Sequence, residues 1–328
     1  MVGGVTISDS EAAALQGVTG TLEARLNALE SMATPVITLN GGHVFVRKDT
    51  AYVEPGVTAS ALGGTIEVMP SSIIQSPATV DTSVVGSVEI TYTVASVSVK
   101  RTVTVLDVPR PDHGFEFRNN TGTATIVDTY DSSIDAVMSG EATCSIDAQG
   151  NYGLIINTND PNNRCDFTYW NYGRAAGDTG QITIETYFMV TTGSGYQKLF
   201  NAGSHHNGTA LFAHNKTLIW RPGKITHSTG GPQKTNVLEY GRWHHVVGTI
   251  ELTGSSTTHG TARLYVDGEL VASRANTKTP NVINQTSYRV DLVGTQAYVR
   301  MWDNTALNAD QVRWLYNYRE TENLVIPT

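Results

Sequence analysis

"WHHVVGTIE" (Trp243–Glu251) and "ARLYVDGELV" (Ala262–Val271) are the stretches on which the fold of this chain turns. Each is short; the first is rich in β-branched residues and the second carries Leu264, Tyr265 and Val266 before its turn, as half-buried strands do. Inside the second, Asp267-Gly268 is the dipeptide suited to a type I′ turn, whose two central residues both need positive φ. The pattern therefore reads strand, loop, strand, tight turn, strand. Outward from it the same pattern recurs: "GFEFRN", "GLIIN", "CDFTYW", "GQITIETYFMV", "YQKLFNAG", "TALFAH", "TLIWRPG", "YRVDLVG" and "AYVRMWD". Short strands at regular spacing predict a sandwich or jelly roll over residues 113–328. One helix is expected near the end. "NADQVRWLYNYRE" opens with Asn308 as its cap and sets Val312, Leu315 and Tyr316 on one face.

Upstream, residues 35–108 alternate with period two, most clearly in "SVEITYTVASVSVKRTVTVLDV". A segment of this size and pattern predicts a small β-sandwich. Between the two, "PRPD" (residues 109–112) is expected to be a stiff linker, because proline fixes φ and lacks an amide donor. Residues 1–34 differ from everything after them. In "SDSEAAALQGVTGTLEARLNALES", Ser8 and Glu11 stand at capping-box spacing. Leu15, Val18, Leu22, Leu29 and Met32 follow at a/d-like spacing, and Leu26 substitutes where Arg25 breaks the seam. Gly17 and Gly20 weaken helix, so two short helices fit as well as one rod. A helix this short is marginal alone in water. The segment is therefore expected to be a docking and oligomerisation handle.

Composition narrows the function. Charged residues make up 16% of the chain, the net charge is −8, and cations are nowhere clustered. Nucleic acid is not an expected partner, since phosphate binding needs dense Lys/Arg. No apolar run approaches the ~20 residues a membrane span requires, and the first residues lack the pattern of a signal peptide. Yet the surface chemistry reads as extracellular. A particle assembled in a host cytoplasm and released by lysis reconciles the two; a bacterial cell-surface adhesin fragment is the alternative. The two cysteines, Cys144 and Cys165, make no disulfide framework; they pair only if strands bring them together.

Three resemblances sharpen these expectations. "ISDSEAAALQGVTGTLEARLNALE" resembles helical segments of phage and algal-virus tail and virion fibres, which implies a trimeric virion appendage or decoration protein. "AYVEPGVTA" (Ala51–Ala59) resembles a signature of bacterial immunoglobulin-like modules, which implies a spacer. "WHHVVGTIE…ARLYVDGELV", "ITIETYF" (Ile182–Phe188) and "YVRMWDNTALNADQVRWLY" (Tyr298–Tyr316) resemble the laminin-G/pentraxin branch of the concanavalin A-like fold. The expected fold is then mostly β: a short helical segment, an immunoglobulin-like sandwich and a concanavalin A-like jelly roll.

That last fold hosts both glycan-cleaving enzymes and glycan binders, so chemistry must come from residues. Glycoside hydrolysis needs two carboxylates about the scissile bond. The "E-x-D-x-x-E" strand of the glucanase branch is absent, and "ITIETYFMV" offers Glu185 alone. A glycan binder is expected rather than an enzyme, with a hydrolase as the trailing alternative. Sugar recognition uses aromatic faces with polar groups beside them. Tyr169, Trp170, Asn171 and Tyr172 supply these, with Tyr196, Trp220 and the polar tip carrying His205 and His206 as further candidates. His244 and His245 are adjacent on a strand, point to opposite faces and cannot share a metal; one of them corresponds to a core-strand histidine in the resemblance. Calcium is common in that branch. It makes Asp128 and Asp131, in a cluster with Asp135, and also Asp303, candidate ligands for Ca2+. Expected partners are other virion proteins, two further copies of the chain and a host-surface glycan.

Overall fold

The computed structural model describes residues 34–61, 66–67, 73–120, 122–132, 134–148, 150–158, 160, 162–168, 180–193, 195–202, 209–223, 230–252, 259–278 and 288–319, with residues 8, 10, 13, 16, 22, 24 and 25. Its contacts fall into two compact units, Met1–Asp107 and Val108–Thr328. Among the described residues no helix is long and apolar enough to cross a membrane.

In the first unit, Ser10, Ala13, Gln16, Leu22, Ala24 and Arg25 are helical and exposed. Of the expected apolar seam only Leu22 is described, and it is 57% exposed. Leu15, Val18, Leu26, Leu29 and Met32 lie outside the described residues. The strands are β1 (Val36–Leu39), β2 (Val44–Arg47), β3 (Val57–Ala61), β4 (Ile66–Glu67), β5 (Ile74–Ser76), β6 (Gly86–Val94) and β7 (Val97–Leu106). They form one sheet in the order β1-β3-β4 and another in the order β2-β7-β6-β5. Ile37 and Ala59 from the first meet Val46, Ile90, Tyr92, Val94 and Val103 from the second in one core. The alternation in "SVEITYTV" is the cause: every second side chain turns inward.

The "AYVEPG" segment is held by one carboxylate. Glu54 Oε2 accepts the hydroxyls of Tyr52 and Tyr92, each at 2.5 Å, and Oε1 accepts the Gly56 amide at 2.9 Å. Oε1 also pairs with Arg101, whose side chain is fully buried. Arg101 Nη2 reaches the carbonyls of Asn40 and Gly56 at 3.1 and 2.9 Å. Burial alone would raise the Glu54 carboxyl, but these donors hold it below the ordinary carboxylate value.

The second unit holds β8 (His113–Glu116), β9 (Thr125–Val127), β10 (Asp135–Ser139), β11 (Thr143–Ile146), β12 (Tyr152–Ile156), β13 (Arg164–Thr168), β14 (Ile182–Val190), β15 (Gln197–Ala202), β16 (Thr209–His214), β17 (Thr217–Arg221), β18 (Gln233–Lys234), β19 (Trp243–Leu252), β20 (His259–Val266), β21 (Glu269–Lys278), β22 (Tyr288–Asp291), β23 (Gly294–Asp303) and helix α1 (Ala309–Tyr318). One sheet runs β11-β12-β23-β14-β19-β20-β21, with β8 also paired to β23. The other runs β18-β17-β16-β15-β22-β13-β10-β9. A single core lies between them, with Ile182, Ile184, Phe188, Val246 and Ile250 from the first sheet and Phe167, Phe200, Leu211, Leu218 and Trp220 from the second. This is a mostly β jelly-roll sandwich. Residues 109–112 lie in this unit and are bonded to it: Trp302 Nε1 donates to the Pro109 carbonyl at 2.8 Å, and Asp112 exchanges bonds with Met301 and Asp303.

The close approach of the two sheets explains one glycine. A Cβ on Gly248 would stand 2.5 Å from the Trp220 indole, so only glycine lets the ring lie flat there. Trp220 Nε1 then donates to the Thr249 carbonyl at 3.0 Å. Cys144 and Cys165 are both free and buried in this core. Burial pushes the Cys144 thiol up to about 12 and the Cys165 thiol well above its ordinary value.

Candidate functional site

Four groups of side chains could carry chemistry in the second unit. The first is the acidic group expected to hold calcium. Asp128 is buried, and its Oδ1 accepts the amides of Gly114, Tyr130 and Asp131 at 3.0, 2.8 and 3.1 Å. Its other oxygen meets His113 Nδ1 at 3.1 Å, while Asp303 Oδ2 lies 3.8 Å from His113 Nε2. Asp128 and Asp303 therefore flank an imidazole instead of converging on a cation. Asp131 contributes its carbonyl to the same turn, accepting from Ile134. Among the described residues no group of three His, Cys, Asp or Glu is placed to hold a metal ion. Burial would lower the His113 pKa, but Asp128, Asp303 and Asp112 outweigh it and raise it.

The second group is centred on Glu185, the carboxylate of the "ITIETYF" strand. Its neighbours on β19 and β23 bring it His245 Nε2 at 2.9 Å, Tyr298 Oη at 3.0 Å and Arg300 Nη1 at 3.4 Å. Arg300 also donates to Glu116 on β8 through Nε at 2.8 Å and Nη2 at 2.6 Å. The side chains of Glu185, His245 and Arg300 are fully buried. Burial would raise the Glu185 carboxyl; Arg300, His245 and Tyr298 overcome this and lower it. Glu185 and Glu116 are thus bridged by the Arg300 guanidinium, and both are buried. His245 is buried on the sheet face that carries Glu185 and Tyr298, away from the core between the sheets. Its neighbour His244 faces the other way, accepting the Glu239 amide at Nε2 and meeting Asp267 from Nδ1 at 3.2 Å.

The third group is the set of expected sugar contacts. Trp220 is fully buried in the core, so it offers no face to a sugar. Tyr169, Trp170, Asn171, Tyr172, His205 and His206 lie outside the described residues. Their strands have a common exit, however. The register pairs Ala202 with Thr209, Ala202 with Tyr288, Phe167 with Tyr288 and Ala210 with Arg221. Thr168, Ala202 and Arg221 therefore all end at the same edge of the second sheet.

The fourth group was missed except for one member: the outward face of that sheet. Ala210, Phe212 and Ile219 form an apolar cluster of their own there, apart from the core. Tyr196, 46% exposed, stacks on His214 with ring centres 4.2 Å apart and planes within 8°. Phe212 meets Tyr196 edge-on at 6.3 Å, and the Arg221 guanidinium lies 5.3 Å from the centre of the Phe212 ring. Beside this row Lys198 Nζ bonds Asp291 at 2.5 Å, and Arg164 bonds Asp166 at 2.7 Å. Period two in "TALFAH" and "TLIWR" would have separated outward Phe212 from inward Trp220, given knowledge of which face is covered.

No curated protein sequence matches the chain. Among solved structures, it is similar to the receptor binding domain of botulinum neurotoxin type G, at 15% identity over 64% of this chain and 52% of that one, with a TM-score of 0.43. It is similar to the binding domain of botulinum neurotoxin DC in complex with SialylT, at 12% identity over 64% and 52%, with a TM-score of 0.46. A Trypanosoma rangeli sialidase with 2,3-difluorosialic acid gives 15% identity over 66% and 34%, with a TM-score of 0.45. The chain spans about half the length of the neurotoxin domains and a third of the sialidase. Likenesses this distant carry no argument about function. Residues 167–313 match the Laminin_G_3 family model, of the concanavalin A-like lectin/glucanases superfamily, and the second unit is accordingly a concanavalin A-like sandwich.

Proposed function

We propose that this chain is a structural virion protein, a fibre or a capsid or tail decoration, that displays a lectin-like domain to host-surface glycan. Residues 1–34 dock on other virion proteins and gather three copies; residues 35–108 are an immunoglobulin-like spacer; the concanavalin A-like unit faces outward on the particle. The observation that carries the binding role is the half-exposed Tyr196 stacked on His214, with the buried Phe212 ring supporting it from beneath. An aromatic ring surface flanked by polar groups suits the apolar side of a pyranose and its hydroxyls. The exposure of Leu22 on a helical segment supports the docking role. The protein works without catalysis: Glu185 and Glu116 are tied to Arg300 and cannot reach a glycosidic bond.

A glycan array probed with the full chain is expected to show binding to a restricted set of saccharides, lost in Tyr196→Ala. Binding to none reduces the unit to a coat, and release of cleaved sugar from any of them returns the protein to the hydrolases. Light scattering is expected to give a trimer for the intact chain and a smaller species without residues 1–34; a monomer in both rejects the docking role.

A further inference from the structure

Resting on the lectin reading, we infer that the site takes a chain of linked sugars, not a single terminal unit, and that Tyr240 with Lys216 forms a second subsite beside the Tyr196–His214 stack. Both lie at one end of the sandwich. Gln197 at the start of β15 pairs with Ala213 near the end of β16, and Met189 near the end of β14 pairs with Trp243 at the start of β19. The β16–β17 hairpin closes at this end through Asn215 and Lys216. Their φ of +45° and +63° make a two-residue turn between the paired His214 and Thr217. Tyr240 is 39% exposed, and the Lys216 ammonium lies 5.3 Å from the centre of its ring. Tyr196 stands at the same hairpin tip, stacked on His214.

Both rings are held in place before a ligand arrives, which lowers the ordering cost of binding. The Lys216 carbonyl accepts the amides of Val237 and Leu238 at 3.0 and 3.3 Å, and the Gly241 amide donates to the Val190 carbonyl at 2.8 Å. Leu238 is buried in the core, so the chain is fastened on either side of Tyr240. A Cβ on Gly193 would fall on the Tyr240 hydroxyl, which therefore rests against that glycine. Gly193 and Tyr196 are three residues apart, so their Cα atoms are separated by no more than about 11 Å. One ring is supported by His214 and Phe212, the other by Lys216 and Gly193, so they offer two faces and not one. Each face suits the apolar side of one pyranose, and two faces one short stretch of chain apart suit successive units of an oligosaccharide. The groups between them meet the hydroxyls. Asn215 and Lys216 are both exposed, and the ammonium supplies three donors. Lys198 is bonded to Asp291 and Arg242 to Glu239, whereas Lys216 pairs with no carboxylate among the described residues.

The test uses the full chain and a series of linear oligosaccharides built on the saccharide that the array returns, from the monosaccharide to the tetrasaccharide. Titration calorimetry is expected to show affinity rising about ten-fold along the series, the order of gain that one further aromatic contact supplies. Tyr240→Ala should abolish that rise and leave the monosaccharide affinity as it was. Tyr240→Phe keeps the ring and should retain the rise. Tyr196→Ala should weaken every member. Lys216→Ala, at an exposed tip, should weaken the longer members alone, which decides the assignment even where circular dichroism shows Tyr240→Ala unfolded. Affinity independent of length, a rise that survives Tyr240→Ala, or an equal loss at every length in Lys216→Ala overturns the second subsite and leaves the lectin reading intact. An empty glycan array overturns both.

Discussion

Single carboxylates organise both units, each recruiting donors from several strands. Glu54 collects Tyr52, Tyr92, the Gly56 amide and Arg101. The glutamate and glycine of "VEPG" are thereby explained: the one is the acceptor, the other has φ +85° and lets its amide turn back onto that acceptor. Glu54→Gln keeps the shape and removes the charge that Arg101 was buried against. Breaking one side of such a pair costs about 3–5 kcal/mol when both partners are enclosed. Glu54 is 24% exposed, so a loss toward the lower end is expected. Urea unfolding followed by the fluorescence of a tryptophan introduced into this tryptophan-free unit would measure it, and an unchanged midpoint would refute the role assigned to Glu54. The motif itself was legible in the sequence. Its partner Arg101 was not, because it lies 47 residues further along.

At the scale of elements, the Asp267-Gly268 hairpin and helix α1 follow directly from local residues. Asp267 and Gly268 take φ of +50° and +81°, the left-handed values that an Asp-Gly turn supplies. Asp267 also accepts the His245 amide at 3.0 Å, fastening the turn to β19. Asn308 caps the start of α1, as the sequence predicts, and the structure adds Gln311 as its reciprocal partner in a capping box. What the local pattern does not contain is the contact between the two elements. A Cβ on Gly268 would meet the Tyr316 ring of α1 at 3.0 Å. Gly268→Ala should therefore cost about 1–2 kcal/mol for the left-handed backbone alone, and more if Tyr316 cannot shift. Thermal denaturation of this variant beside Tyr316→Ala/Gly268→Ala separates the two contributions; the double variant is expected to recover only the steric part.

The whole second unit should have a bounded pH range of stability. Glu185 has a lowered carboxyl, so its contribution is complete above the ordinary value of 4.5 and is lost as pH falls through its folded value. His113 has a raised imidazole, so its contribution is complete below the ordinary value of 6.5 and is lost as pH rises through its folded value. Stability contributed by these two groups is thus greatest between about 4.5 and 6.5 and declines on either side. Melting temperatures across pH 3–9 are expected to show both limbs. His113→Gln should flatten the alkaline limb and leave the acid one; an alkaline limb that persists unchanged assigns it to another group. Because His113 joins β8 to the end of β23, this pairing also secures the strand where the unit begins.

The sequence by itself determined most of the strands, the turn and the capped helix of this protein, because period-two alternation, positive φ at Asp-Gly and the N-cap are properties of neighbours in the chain; the short strands β9, β10, β11 and β18 carry too little of that pattern to be read from it. It likewise indicated that Glu185 stands without a second carboxylate on its strand. Only the tertiary structure decided which aromatic residues face outward. Trp220 and Phe212 look alike in sequence, yet one fills the core against Gly248 and the other is buried on the opposite face of the sheet, beneath Arg221. The side chains of a strand alternate strictly, but which face becomes interior depends on the sheet that covers it. For the same reason, partners such as Glu185 and Arg300, 115 residues apart, become visible only once the strands are paired.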